Sequence, residues 1–225
     1  MNLFFVVEGQ TEAKVYRAWL AHLVPHLKEV EDPHEVTENN YYLIYAGGQS
    51  AIKKLIADSI AEINQVGRYN YLIICLDAEE SLVKSKKSEV YKHLVDCSTK
   101  GISLQNAKFK LIIQNRCLET WFLGNRDMYP PNPYHSTLVD YLNNHYNASI
   151  NDPEKMPKHP NFTTHADFHK NYFWLLVKEK KKHQRKGDLG PAVEPTYLNA
   201  LQARIKATPT HLKTFQIFLK FCQEI

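Results

Sequence analysis

Residues 3–7, Leu-Phe-Phe-Val-Val, are apolar at every position, and the run stops on Glu8, Gly9 and a helix-forming stretch from Thr11 onward. An unbroken apolar run of this length, bounded by a turn, reads as a strand buried on both faces. Gly9 is placed to permit the turn and Thr11 to cap the helix. The unit then recurs. Apolar runs at 41–45, 71–76 and 109–114 each precede a segment with helical spacing. Helices are expected at about 11–24, with Val15, Trp19 and Leu23 on one face, and at about 49–65, with Ile52, Ile56, Ile60 and Ile63 as a stripe. A short one is expected at about 88–97, and a fourth begins near Cys117 and stops at Gly124-Asn125. The charged stretches 27–38 and 84–87 read as loops. Such a series predicts an α/β fold: a mostly parallel four-stranded sheet flanked by helices, with right-handed crossovers.

The texture changes near residue 127. Tyr-Pro-Pro-Asn-Pro-Tyr at 129–134 cannot be helical, and prolines recur at 153, 157 and 160. Helices are expected at about 166–183, 195–206 and 210–223, the last with Leu212, Phe215, Phe218, Leu219 and Cys222 as its apolar set. The expected organisation is an α/β domain over 1–126 and a helical, loop-rich C-terminal region over 127–225 packed on it.

With 225 residues, 44% of them hydrophobic, the chain has material for a substantial core. The four cysteines (75, 97, 117 and 222) show no Cys-x-x-Cys spacing, which argues against a zinc site and a disulfide framework. Cys75, inside an apolar run, reads as a small core residue. A net charge of +4 is too mild to identify a partner by itself. No apolar stretch approaches the roughly 18–20 residues of a membrane span, and Met1 leads into a strand with no basic leader. The expectation is a cytoplasmic protein without a membrane partner.

Parallel strands end on one side, the edge where ligands bind in open α/β sheets. Here those ends deliver Glu8, with Glu12 in the next helical turn; then Asp77, Glu79 and Glu80; then Asn115 and Glu119. Carboxylates gathered at one edge repel each other unless cations neutralise them. Oxygen donors without His or Cys suit Mg²⁺ or Mn²⁺. Two such ions at roughly 4 Å can stabilise the attacking and leaving oxygens of a phosphodiester.

Val-Glu-Gly-Gln-Thr-Glu at 7–12 and the strand end Leu-Asp-Ala-Glu at 76–79 resemble the Toprim domain of topoisomerases, bacterial primases and OLD-type nucleases. Cys-Leu-Glu-Thr-Trp-Phe-Leu at 117–123 is similar to a segment of small stand-alone Toprim proteins of the RloB-like kind, found beside restriction or ATPase genes. The resemblance spans about residues 3–125. It implies metal ligands at Glu8, Glu12, Asp77, Glu79, Asn115 and Glu119, with Glu8, Asp77, Glu79 and Glu119 at the chemistry. It further implies antiphage defence with an ABC-type ATPase partner, and it is compatible with homo-oligomers. One departure stands out. The family's Asp-x-Asp pair reads Asp77-Ala-Glu79 here, and an extra methylene shifts a carboxylate by about 1 Å, a displacement that can cost about 100-fold in rate. Topoisomerase and primase activities would need parts that the remaining residues do not supply.

Residues 178–186, Lys-Glu-Lys-Lys-Lys-His-Gln-Arg-Lys, concentrate positive charge. Lys180, Lys181, Lys182, Arg185 and Lys186 suit a nucleic-acid backbone, as do Lys84, Lys86 and Lys87 beyond the Asp77 loop; the competing reading is a solvated helix end and a soluble loop. Gly47-Gly48 reads as an ordinary turn, because it lacks the lysine signature of a nucleotide-binding P-loop. His165 and His169 lack the glutamate of a metalloprotease motif and read as surface or packing residues. Tyr41, Tyr42, Tyr45 and Tyr71 read as core or edge packing. Two functions follow: a Mg²⁺- or Mn²⁺-dependent nuclease acting on DNA or RNA, or a non-catalytic Toprim-like scaffold that binds an ATPase or nucleic acid.

Overall fold

The computed structural model describes residues 1–48, 50–180 and 189–225. They form two compact units. The first comprises Met1–Leu76, Leu82–Ile113 and Phe218–Ile225, and the second Asp77–Ser81 with Gln114–Ile217. The second unit thus takes in a five-residue loop and resumes upstream of the composition change near 127.

The first unit is a five-stranded sheet in the order β2-β3-β1-β4-β5, flanked by helices. Its strands are β1 (Asn2–Val7), β2 (Lys28–Glu29), β3 (Asn40–Tyr45), β4 (Tyr71–Asp77) and β5 (Lys108–Gln114). β1 pairs in parallel with β3 and β4, in register from Leu3 opposite Tyr41 and Tyr71 to Val7 opposite Tyr45 and Cys75. All six residues of β1 are buried, as a strand covered on both faces requires. The fifth strand is the correction. β2 pairs in parallel with β3 inside the stretch read as loop; two exposed residues, Lys and Glu, carry no apolar signal. It is a short, charged edge of the kind that discourages further pairing. At the amino ends of the strands, Asn2 donates to the carbonyls of Thr37 and Arg68 and accepts from the Asn40 amide, while its own N–H donates to Asn70.

Among the described residues, three α-helices lie wholly in this unit: α1 (Gln10–Leu23), α2 (Ile52–Val66) and α3 (Val83–Thr99). α2 buries the expected isoleucine stripe and ends on Gly67 in the left-handed region (φ 70°). α1 buries Val15 and Trp19 as expected, together with Tyr16 and Leu20. Thr11 does not cap it: the cap position falls on Gly9, with no side-chain cap bond. α3 begins five residues before the expected start, so 84–87 is helix and not loop. Cys75 is buried in β4, and burial pushes its thiol up to about 12.

The second unit carries α4 (Leu118–Phe122), α5 (Ser136–Asp140, continued by a wider turn over Tyr141–His145), α6 (His165–Lys180) and α7 (Pro195–Ala207). The short α5 was not anticipated. α8 (Lys213–Glu224) continues from the second unit into the first. A buried arginine organises this unit. Arg204, 2% exposed, donates to the carbonyls of Gly124, Ala148 and Asn151 and packs its guanidinium against His211. Tyr197 donates to the Phe122 carbonyl and Tyr172 to that of Tyr146. Among the described residues, no helix is long and apolar enough to cross a membrane.

Candidate functional site

The acidic residues of the second unit stand on two loops that are joined backbone to backbone. Ala78 N–H donates to the Gln114 carbonyl (2.9 Å), and Glu79 N–H to that of Arg116 (2.8 Å). Arg116 closes the other side, its guanidinium reaching the carbonyls of Glu79 (3.1 Å) and Ser81 (3.3 Å). Glu79 and Arg116 both have left-handed backbones, at φ 53° and 75°. For residues with a Cβ such a conformation costs about 1–2 kcal/mol, so the tie between the loops sustains it.

Asp77, the last residue of β4, is 3% exposed. Glu79 and Glu119 are half-buried. Glu119 lies in the first turn of α4, which opens at Cys117; the Cys117 N–H donates to the hydroxyl of Thr120 (3.3 Å). Thr120 in turn bonds Nδ1 of His169 (2.7 Å), which is fully buried. Burial, with His165 and Arg116 nearby, pushes the His169 pKa down to about 3, so this imidazole is neutral. His169 is a packing residue, as the sequence suggested.

Next to it on α6 stands Lys170, which sequence reasoning missed. Lys170 is exposed at its surface; desolvation works against its charge, but Glu119, the Cys117 thiol, Asp77 and Glu79 outweigh that and push its pKa above the ordinary lysine value. The same field acts on Cys117: burial first, then Glu119 and Asp77, raise its thiol pKa, and Lys170 opposes them. Three carboxylates from separated segments therefore act on one ammonium group. No local signal marks Lys170, since its partners lie far away in the sequence.

The remaining candidates divide. Asn115 donates its side-chain N–H to the Glu154 carbonyl (2.8 Å) and its backbone N–H to Thr214 (3.2 Å), so its amide oxygen is the atom available for a cation. Glu80 is engaged elsewhere. Its carboxylate accepts from the His165 backbone N–H (2.6 Å) and meets the His165 ring (2.9 Å). Partial burial opposes its charge, but these contacts hold its pKa below the usual carboxylate value. Glu8 and Glu12 belong to the first unit. The Glu8 carbonyl accepts from Gly48 N–H and the Val7 carbonyl from Ala46 N–H, both at 3.1 Å, which fixes the end of β1 to the Gly-Gly turn. Gly9 is extended (φ −143°), so the turn does not need glycine for its backbone angle. A Cβ there would stand 2.7 Å from Oε2 of Glu12, the mobile end of a side chain that can swing aside.

Of the lysines, Lys84 is exposed and Lys87 half-buried, both on α3. Lys86 is 5% exposed and faces Glu89 (3.8 Å), which withdraws it from the expected phosphate contact. Lys180 ends α6 and is exposed; Lys181, Lys182, Arg185 and Lys186 lie outside the described residues.

The all-oxygen set of Asp77, Glu79, Glu119 and Asn115 has the donor chemistry of a hard divalent cation. Yet among the described residues no group of three or more His, Cys, Asp or Glu is arranged to hold a metal ion. Lys170 and the Arg116 guanidinium bring positive charge to this cluster. No family model, curated protein or solved structure matches the chain. Fold and site together define a class: an α/β protein with a parallel sheet flanked by helices and an acid-and-lysine cluster in its second unit.

Proposed function

We propose that the protein is a Toprim-like phosphodiesterase that cuts DNA or RNA with Mg²⁺ or Mn²⁺, in antiphage defence with a partner ATPase. The observation that carries this reading is the shared field of Asp77, Glu79 and Glu119 around Lys170. Buried acids from separate segments cost stability unless positive charge compensates them, and a cluster of this kind is a candidate for function. Asp77, Glu79, Glu119 and the Asn115 oxygen would hold the cation. Glu8 and Glu12 enter the ligand set through the family resemblance alone. When bound, the ion would supply Lewis acidity at a phosphodiester oxygen. Lys170 would hold its proton throughout and give a fixed positive charge to a phosphate oxygen. Arg116 and the two backbone ties would keep the acidic loops in place.

One observation favours the second reading, a non-catalytic scaffold. The acids are already compensated by Lys170, and no three-ligand cluster is formed among the described residues. Incubation with plasmid, single-stranded DNA and tRNA in Mg²⁺ or Mn²⁺ separates the two. Cutting is expected, with a fall of about 100-fold or more in Asp77→Ala, Glu119→Ala and Glu8→Ala. Cutting that survives these substitutions would remove this site from consideration. Binding without cutting, across metals and substrates, would establish the scaffold.

A further inference from the structure

A cavity of about 420 Å³ opens in the second unit, lined from α5 and the turn after it, from the 159–162 loop and from α6. Its volume lies in the usual range for small-ligand sites. Tyr141, His159, Phe162 and Trp174 line it with rings, and Asn171 and Asp140 add polar groups. The rings pack together: Tyr141 and His159 centroids lie 5.2 Å apart, and His159 and Phe162 5.8 Å. Tyr141 and His159 are buried, whereas Phe162 and Trp174 are part-exposed. The Lys178 ammonium lies 3.4 Å from the centre of the Trp174 ring. Trp174 Nε1 is withdrawn from solvent without a hydrogen-bond partner among the described residues.

The polar groups have defined roles. Asn171 Oδ1 accepts from the Tyr141 hydroxyl (3.1 Å), which leaves its NH₂ as the donating end. Asp140 accepts from Asn144 (2.8 Å) and, as a carboxylate, offers only further acceptors. A planar ligand with a π-face and an edge carrying both an amino donor and a ring-nitrogen acceptor complements this set. Adenine and cytosine have such an edge. Lys178 and exposed Lys180, at the end of the same helix, supply positive charge for an attached phosphate. We propose that this cavity takes an unstacked, amino-bearing base of a single-stranded nucleic acid. The choice of a polymer-borne base over a free nucleotide rests on the nuclease reading; the base chemistry of the pocket does not.

Tryptophan emission of the full chain, in EDTA to prevent cutting, provides the test. Trp19 and Trp121 are 1% and 0% exposed, so Trp174 dominates any ligand-dependent change. Short oligoadenylate is expected to quench the emission, an abasic oligonucleotide of equal length is not, and oligouridylate is expected to bind about 10-fold more weakly. Asn171→Asp keeps the acceptor for Tyr141 but removes the donor, and should weaken oligoadenylate about 10-fold; Phe162→Leu should do the same through lost stacking. Equal quenching by the abasic strand, or affinities unchanged in both variants, would overturn the pocket. Oligouridylate binding as well as oligoadenylate would overturn the amino-edge assignment. AMP binding as tightly as oligoadenylate would make a free nucleotide the occupant and overturn the polymer. Asp77→Ala should leave this binding intact, so lost cutting with retained quenching, or the reverse, tells the two sites apart.

Discussion

The first unit is held by what its side chains exclude, the second by what they bond. Around β1 the core is a continuous apolar mass in which Leu3, Phe5, Val6 and Val7 are fully buried. The second unit also has a core, with Trp121, Phe168 and Phe215 inside, but its loops are fixed by particular polar contacts. Arg204 gathers three carbonyls, Asp152 accepts from the Leu212 and Glu154 amides, and Glu154 accepts from the Thr214 hydroxyl and N–H. Apolar burial is non-directional and tolerates rearrangement, whereas a buried hydrogen-bond network fails when one member is lost. Of the candidate acids, Asp77, Glu79 and Glu119 sit in the unit where directional bonding positions the chain, and Glu8 and Glu12 in the other.

Arg204→Met sets the contrast most sharply. It strands the carbonyls of Gly124, Ala148 and Asn151 and should cost about 3–5 kcal/mol in urea denaturation, as much as Phe5→Ala in the sheet. A loss below about 1 kcal/mol would show that the guanidinium does not organise the unit. A smaller effect comes from Gly124→Ala, where a Cβ would stand 2.8 Å from the Trp121 carbonyl and 3.0 Å from Leu201, with Leu212 closer still. Overpacking of this kind costs about 1–3 kcal/mol. Gly67→Ala, limited mainly by its left-handed backbone, should cost only about 1 kcal/mol. Equal thermal shifts in the two variants would erase the distinction.

A further contrast depends on pH. His169 is buried and neutral, with a folded pKa of about 3 against an ordinary value of 6.5. Between those values the unfolded chain binds the extra proton, so stability falls as pH drops below 6.5 and is unaffected by this group above it. The slope approaches about 1.4 kcal/mol per pH unit at most. His169→Gln should lessen the loss of stability between neutral and mildly acidic pH. Identical pH profiles for both proteins would contradict the burial account.

The same contrast explains what the sequence disclosed. The isoleucine stripe of α2 and the runs of β1 and β4 are local patterns with a period, and each lies where the pattern put it. β2 escaped because an exposed two-residue edge has no apolar face to display. α3 extends through 84–87 with Lys86 buried and facing Glu89 one turn on, whereas a run of lysines reads by composition as solvated loop. At the site, the acids were legible because strand ends are legible. Lys170 was not, since its role comes from carboxylates brought in by distant segments. Glu80 was visible as an acid, but its capture by His165 was not.

The loops bearing Asp77, Glu79 and Glu119 are joined through main-chain amides and carbonyls, together with a single arginine. Four hydrogen bonds to main-chain oxygens cross between these loops, so a carboxylate exchanged at position 77, 79 or 119 leaves every donor and acceptor of those four bonds in place.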